Sequence, residues 1–202
     1  MAWVNLASFV PCTESEGPGR RAALWVQGCA KRCPECCNPD YLKIFERAIV
    51  PASALVERVA RAQLEFGIEG VTFLGGEPLL QAKGLAEVAQ ECHRLGLSVM
   101  TFTGYTVDEI RQLNLDGAAE LLANIDLLVD GPYIAEQTEA RRNWVGSSNQ
   151  QFHYLTDRYD ATVELDPAGG RSVEFQVGLD GRLRVNGWPN RLEGVRSAGR
   201  PR

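Results

Sequence analysis

The chain has 202 residues, of which 45% are hydrophobic and 23% charged, and its formal net charge is −5. This size allows one domain with a full hydrophobic core, and the acidic balance argues against attraction to nucleic acid or to an anionic membrane. No apolar run is long enough to span a bilayer, and the start of the chain lacks the basic segment of a signal peptide. We therefore expect a cytoplasmic protein, in which clustered cysteines indicate metal binding or catalysis rather than disulfides.

Short apolar runs alternate with amphipathic helical segments along the first two thirds of the chain. Strands are predicted over residues 3–10, 22–27, 71–74, 97–102 and 126–129, and helices over 54–66 and 83–95. Ser53 is expected to cap the first helix and Gly67 to end it, and Thr106 with Glu109 forms a capping-box pattern. This alternation predicts stacked βαβ units and a parallel sheet.

The last third of the chain has a different pattern. Residues 141–150 form a polar loop, and Asp180-Gly181 between the apolar runs 173–178 and 183–185 is a strong hairpin signal. Such a hairpin could close one edge of the sheet. We expect residues 1–195 to form one domain and the Gly/Pro/Arg-rich tail, 196–202, to fray.

The cysteine loop, residues 28–39, follows the second strand and holds four of the six cysteines. Cys29, Cys33 and Cys36 have the spacing C-x3-C-x2-C, which can bind three corners of a [4Fe–4S] cube and leave one iron for a small molecule. The alternative is a structural zinc site with Cys37 or a distant residue as fourth ligand. Zinc cysteines usually occur as two separated C-x2-C pairs, and no second pair exists, so the spacing favours the cluster. Cys37 remains a reserve ligand, a packing residue or a reactive thiol.

Gly75-Gly76-Glu77-Pro78 follows the buried strand over residues 71–74. Two glycines allow the backbone to come close to a ligand, and a carboxylate beside them can hold a cationic group such as an α-amine. The alternative is a tight turn from strand to helix, with Pro78 at the start of the helix.

The ends of two later strands also carry polar side chains. The hydroxyls of Thr101, Thr103 and Tyr105 could bind ribose or a carboxylate, although threonine is also an ordinary strand residue. Asp130 could face the same site or simply form an Asp-Gly-Pro turn, and Asp126 is expected at the solvated start of its strand. Strand ends that converge on one mouth are typical of a barrel-type active site.

Together these motifs resemble the radical S-adenosylmethionine enzymes, and most closely the activating enzymes of glycyl-radical enzymes. The likeness lies in Glu16-Gly17-Pro18-Gly19-Arg20-Arg21, in Gln27-Gly28-Cys29, in the cysteine loop with Asn38, in G-G-E-P, in Thr103-Gly104-Tyr105-Thr106, and in residues 127–132 and 146–150. The last three segments are similar to the anaerobic ribonucleotide reductase activases. For the fold, the likeness and the chain length together predict an α/β, partial (open) TIM-like barrel of about six βα units with a C-terminal β-hairpin.

The resemblance implies a [4Fe–4S] cluster on Cys29, Cys33 and Cys36, whose open iron chelates S-adenosylmethionine. It implies further binding residues for this cofactor, which are Glu35, Gly75, Gly76, Glu77, Pro78, Thr103 and Asp130. An electron from a flavodoxin or ferredoxin would produce methionine and a 5′-deoxyadenosyl radical, which takes a hydrogen atom without a catalytic side chain.

The hydrogen donor that the resemblance implies is a glycine of a partner glycyl-radical enzyme. One alternative is a stand-alone radical enzyme that modifies a peptide or small molecule, and another is a zinc-binding interaction module. The partner stays open because the chain departs from the activases, for example with Val145 where they usually carry an arginine.

Overall fold

The computed structural model describes residues 2–167, 172–177, 181 and 183–187. Its largest element is a seven-stranded mixed sheet with the strand order β3-β1-β2-β4-β5-β6-β7. These strands are β1 Trp3–Thr13, β2 Arg21–Val26, β3 Ile49–Pro51, β4 Gly70–Gly75, β5 Ser98–Phe102, β6 Leu127–Asp130 and β7 Gln151–Tyr154. The four central strands β2, β4, β5 and β6 are parallel, whereas β1, β3 and β7 run antiparallel to their neighbours.

Four α-helices connect these strands: α1 Ala52–Phe66, α2 Ala82–Arg94, α3 Val107–Leu113 and α4 Ala118–Leu122. Side chains alternate across the sheet, so that Ala22, Leu24 and Val26 of β2 pack in the main core with α1 and α2. Ala23 and Trp25 point to the opposite face, which we call the inner face. Within the described residues, no helix is long and apolar enough to cross a membrane.

The predicted α/β class is confirmed, but the partial barrel of about six βα units is not. In the described part of the chain, helical connections join β3 to β4, β4 to β5 and β5 to β6, and the sheet ends at β3 and β7. The segment between β1 and β2 spans only residues 14–20, which is too short for a crossover helix, and β2 therefore returns antiparallel. The strand prediction for residues 3–10 was correct, but that strand does not begin a βα unit.

The helix α1 differs from its prediction at its N-terminal end. It begins at Ala52 with Pro51 as the N-cap residue, so the predicted cap at Ser53 is wrong, whereas Gly67 ends it in a left-handed conformation, as predicted. Leu64 of this helix is 89% exposed. It lies nine residues after the buried Leu55, which places it on the opposite side of a helix with 3.6 residues per turn.

The C-terminal hairpin is confirmed as an element, with β8 Val173–Val177 antiparallel to β9 Leu183–Gly187. It forms a separate two-stranded sheet, so the prediction that it closes an edge of the large sheet is wrong. It contacts the end of β1 instead, where Asn186 Nδ2 donates to Thr13 Oγ1 at 2.8 Å. Asp180 of the predicted turn and the tail, 196–202, lie outside the described residues.

Asp126 is buried, which corrects the expectation that it lies at a solvated strand start. Its Oδ2 accepts from the Val99 amide at 2.7 Å and lies 3.0 Å from His93 Nε2, and its Oδ1 accepts from Thr156 Oγ1 at 2.7 Å. Burial alone would raise the pKa of Asp126, but these hydrogen bonds together hold it below its ordinary value. The carboxylate therefore connects β5, α2 and the segment after β7.

Asp126→Asn should destabilise the protein at neutral pH and remove part of its acid sensitivity. Because the pKa of Asp126 is lower in the folded chain than the unfolded value of about 3.9, its stabilisation is fully present above that value and is lost as the pH falls through the folded pKa. We expect the free energy of unfolding to fall by about 1–3 kcal/mol at pH 7 and by less below about pH 4. Urea unfolding at each pH measures this difference. Asp116→Asn, at an exposed carboxylate, is the control; an Asp126→Asn loss that does not depend on pH would contradict the assignment.

Candidate functional site

A cavity of about 980 Å³ opens where the parallel strands β2, β4 and β5 end. The ends of strands and the segments that follow them contribute Trp25, Leu74, Gly75, Gly76, Glu77, Phe102, Thr103, Gly104 and Gly131. The cysteine loop forms a second wall, and the loop before β7 adds Tyr133, Trp144, Gly146 and Gln150. The volume is at the upper end of the range for cofactor pockets, and the position is the one expected of parallel sheets.

Cys29, Cys33 and Cys36 all line this cavity. Cys29 is buried and the other two are partly exposed. Arg32 and Glu35, which directly precede Cys33 and Cys36, are left-handed with φ of 47° and 55°. Such a conformation costs non-glycine residues about 1 kcal/mol or more and is concentrated at functional sites. The backbone of the loop is therefore held in an unfavourable shape that places its cysteines along one wall.

Backbone amides donate hydrogen bonds to two of these sulfurs. The Asn38 amide donates to Cys36 Sγ at 3.4 Å, and the amides of Lys31 and Arg32 donate to the Cys29 sulfur. A hydrogen bond from Cys37 and the Asn38 amide lower the pKa of Cys36 to about 6 against the effect of burial, whereas burial dominates at Cys29 and raises its pKa. Amide donors stabilise thiolates, the form in which cysteine binds metal.

The donor set of the cysteine loop fits a cubane iron–sulfur cluster. None of the six cysteines, all of which the structure describes, forms a disulfide. The described residues contain no group of three His, Cys, Asp or Glu close enough to share a single metal ion. Each thiolate of a cubane binds a different iron, so its ligands line a wall of the cavity and need not converge on one point. Cys29, Cys33 and Cys36 would hold the cluster, and Cys37 is the more exposed neighbour.

Gly75 and Gly76 bring the end of β4 against the start of the cysteine loop. Gly75 has φ 108°, and a Cβ there would lie 2.7 Å from the Trp25 Cα; a Cβ on Gly76 would lie 2.4 Å from the Gly28 carbonyl oxygen. The Glu77 amide donates to that same Gly28 oxygen at 2.9 Å. Both glycines are required by this close backbone contact, and both line the cavity.

Glu77 is buried at the floor of the cavity. Its Oε1 accepts from the Leu79 amide at 2.9 Å and from Thr103 Oγ1 at 2.8 Å, and its Oε2 accepts from the Gly104 amide at 2.9 Å. Burial raises the pKa of Glu77, and these hydrogen bonds oppose the rise. The carboxylate therefore joins the ends of β4 and β5.

Pro78 begins the short 3₁₀ helix Pro78–Gln81. It is not among the described residues that line the cavity.

Asp130 does not reach the cavity, which corrects the expectation that it faces the site. Leu127 and Val129 point to the inner face, and strand alternation sends Leu128 and Asp130 to the other side. There Asp130 Oδ2 accepts from the Val107 amide at 2.7 Å, at the start of α3, and lies 3.2 Å from His153 Nε2. Gly131 is the residue of this segment that lines the cavity.

Lys31, between the first two cysteines, was not predicted as a site residue. Its ammonium donates to both Glu109 carboxylate oxygens at 2.7 and 2.8 Å and lies 4.8 Å from the centre of the Tyr105 ring. Glu109 also completes the capping box with Thr106, as predicted. Lys31 thereby holds the cysteine loop against the start of α3. A positively charged residue between two cysteines of the motif is the sequence signal that could have indicated this role.

Lys31→Met should loosen the cysteine loop without unfolding the protein. The pair is partly exposed, so we expect a stability loss of only about 0.5–1 kcal/mol but faster amide hydrogen exchange over residues 29–38. Exchange followed by mass spectrometry measures this difference. Lys83→Met removes a more exposed ion pair with Asp116 and is the control; equal exchange in both variants would show that Lys31 does not hold the loop.

Comparison with known families identifies the class of this site. The model of the 4Fe-4S single cluster domain matches residues 15–153, which include the cysteine loop and the Gly75–Glu77 segment. The chain is thus a 4Fe-4S single-cluster protein of the radical S-adenosylmethionine type, as the motifs predict.

Similar proteins identify the family within this class. The chain is 31% identical over 167 residues to the anaerobic ribonucleoside-triphosphate reductase-activating protein of Vibrio cholerae, covering 76% of this chain and 99% of that protein. Proteins of the same name from Escherichia coli K12 and Enterobacteria phage T4 are 25% and 26% identical, over 75% and 76% of this chain and 99% and 96% of theirs. The chain belongs to this family of activating proteins.

Solved structures also resemble this chain, and QueE is one example. QueE from Escherichia coli superposes with a TM-score of 0.45 at 15% identity, and the match covers 52% of this chain and 53% of QueE.

Proposed function

We propose that this protein activates an anaerobic ribonucleoside-triphosphate reductase by abstracting a hydrogen atom from one of its glycines. The observation that carries the proposal is the common cavity of the three cysteines and the Gly75–Glu77 segment. Support comes from the relatives, whose names describe activation of this reductase. We place the protein in the cytosol with its partner.

The cysteine loop and the strand ends would bind the two cofactors together. Cys29, Cys33 and Cys36 would hold the cluster, which would supply the one-electron reduction that cleaves S-adenosylmethionine into methionine and a 5′-deoxyadenosyl radical. Gly75 and Gly76 line the cavity, so the methionine part would lie against their backbone, and Glu77 would attract its amino group. Because Thr103 donates to Glu77, it positions that carboxylate. The backbone beside Glu35, which lines the cavity in a left-handed conformation, would meet the adenine.

The remaining walls would exclude water from the radical. Trp25, Phe102 and Trp144 line the cavity with apolar surface, which suits a species that would otherwise react with solvent. Hydrogen abstraction itself requires no acid or base. The electron would come from a flavodoxin or ferredoxin that docks outside the cavity.

The test is an anaerobic assay of the reconstituted protein with S-adenosylmethionine, a reductant and the reductase of the same organism. We expect 5′-deoxyadenosine together with a glycyl radical signal in the electron paramagnetic resonance spectrum of the reductase. Deoxyadenosine without that signal would overturn the activase role and favour a stand-alone enzyme that modifies a peptide or small molecule. A protein that produces no deoxyadenosine would overturn both.

A further inference from the structure

The C-terminal hairpin of β8 and β9 supplies a wall of the cavity. Val185, Asn186 and Gly187 of β9 line it, together with Ser15 and Glu16 from the segment after β1. None of these five residues belongs to the cysteine loop or to the ends of the parallel strands. The hairpin also lies outside residues 15–153, which the family model matches, so the shared cluster chemistry does not account for it.

Hydrogen bonds fix the hairpin on the end of β1 and on the segment that follows it. Asn186 Nδ2 donates to Thr13 Oγ1 at 2.8 Å and to Glu174 Oε2 at 3.1 Å. The Gly187 amide donates to Glu16 Oε1 at 2.9 Å. Side chains on both strands of the hairpin take part, so it forms a fixed wall with a defined orientation toward the cavity.

This wall carries hydrogen-bond acceptors that are not fully used. Asn186 is only 8% exposed, and its Nδ2 is occupied, but its buried Oδ1 has no hydrogen-bond partner within the described residues. A buried acceptor without a partner is costly, and it requires an explanation such as a ligand that supplies the missing donor. Glu16 adds a carboxyl group beside it, with one oxygen on the Gly187 amide; burial raises the pKa of this carboxyl to about 7.

The chemistry that fits these acceptors is an N–H donor. Main-chain amides of an extended polypeptide present such donors at regular intervals and carry no charge that would have to be buried. A glycine-containing segment also lacks the side chain that would obstruct entry to a cavity already occupied by two cofactors. A substrate with few N–H groups would leave Asn186 Oδ1 without a partner.

We propose that the hairpin is the substrate-selecting wall of the cavity, where Asn186 and Glu16 bind main-chain amides of the polypeptide segment that donates the hydrogen atom. The proposal rests on the proposed function, since it names the residues that would hold the glycine-bearing segment of the reductase. Val185 would contact the same segment through apolar surface.

Affinity for the intact reductase tests this assignment. The reconstituted full chain with S-adenosylmethionine is titrated anaerobically with the purified reductase, and the dissociation constant is measured by interferometry. Asn186→Ala should raise this constant about tenfold, the effect of one buried hydrogen bond. Glu16→Gln keeps an oxygen for the Gly187 amide and should raise it about threefold. Val177→Ala, at a position on β8 that is 74% exposed, is the matched control and should not change it.

The outcomes separate this inference from the proposed function. Thermal unfolding first shows which variants are folded, and Glu16→Gln provides the test if Asn186→Ala is not. Dissociation constants within twofold of the unaltered protein for every folded variant would overturn the inference, while an unaltered protein that still forms the glycyl radical would leave the proposed function intact. An unaltered protein that produces no deoxyadenosine or does not bind the reductase would overturn both.

Discussion

Changing Cys29, Cys33 or Cys36 to alanine is expected to abolish cleavage of S-adenosylmethionine, whereas Cys37→Ala should leave it largely intact. Each of the first three cysteines lines the cavity and would bind a separate iron, so the loss of any one leaves a corner of the cluster without its ligand. Cys37 lines the same cavity, but it is exposed and stands outside the C-x3-C-x2-C spacing. We expect activity to fall by more than about a hundredfold, beyond the loss that follows removal of an outer hydrogen-bond partner of a metal site.

Iron and sulfide content provide a readout that does not depend on turnover. The three alanine variants should bind much less of both than the unaltered protein, and the broad absorption of the cluster should weaken accordingly. Cys92→Ala, in the hydrophobic core away from the cavity, is a control for the loss of a buried thiol. Loss of the cluster in Cys37→Ala would show that the assigned ligand register is wrong.

Replacement of Arg21 is expected to cause the largest loss of stability. Arg21 is fully buried on the inner face at the start of β2. Its Nε donates to Thr72 Oγ1 at 2.8 Å, its Nη1 lies 3.0 Å from both Ser98 Oγ and Tyr159 OH, and its Nη2 donates to the Val71 carbonyl at 2.6 Å. One guanidinium thus connects β2, β4 and β5 with the segment after β7.

Arg21→Met fills much of the same volume but leaves these polar groups without a donor. The cost of several unsatisfied buried groups adds to the lost packing, so we expect the free energy of unfolding to fall by about 3 kcal/mol or more. Arg21→Lys should retain only part of the stability lost in Arg21→Met, because an ammonium cannot reproduce the planar set of donors of a guanidinium. Urea unfolding measures each loss.

The neighbouring Arg20 offers a matched control because it is exposed. Arg20→Met should change the free energy of unfolding by no more than about 0.5 kcal/mol. A loss below about 1 kcal/mol for Arg21→Met would contradict the view that this guanidinium joins the strands. The motif that suggested the family, Glu16 to Arg21, would in that case have no structural role at its last position.

Local sequence patterns predicted the elements well because local interactions determine them. Apolar runs bounded by glycine identified the four parallel strands, and the spacing of Thr106 and Glu109 predicted a capping box that the structure contains. The direction of β1 was not predictable from its own residues, since it depends on the length of the connection to β2. The edge strand β3 is three residues long, too short to be recognised by periodicity.

The candidate site was predicted less completely than the elements. Sequence spacing identified the cysteines and the Gly75–Glu77 segment, and the structure places both on one cavity. Sequence spacing did not identify the contact of Lys31 with Glu109, because these two residues are 78 positions apart in the chain. Nor could it assign Asp130 to a face of the sheet, since a shift of one residue in a strand boundary reverses that assignment.

The hairpin shows a different limit of sequence patterns. Its turn signal was strong enough to predict two strands, but where a hairpin packs depends on distant partners, here Thr13 and Glu16. Gly75 and Gly76 show a similar limit of sequence patterns. They suggested a close approach to a ligand, and the structure shows that the backbone of β2 and Gly28 already comes that close.

We propose that Cys29, Cys33 and Cys36 hold a cubane cluster that cleaves S-adenosylmethionine. The decisive measurement is anaerobic purification followed by metal and sulfide analysis, and then by reduction in the presence of S-adenosylmethionine. We expect a brown protein with about four iron and about four sulfide per chain, which releases methionine and 5′-deoxyadenosine after reduction. A colourless protein that contains zinc and releases neither product would contradict the claim.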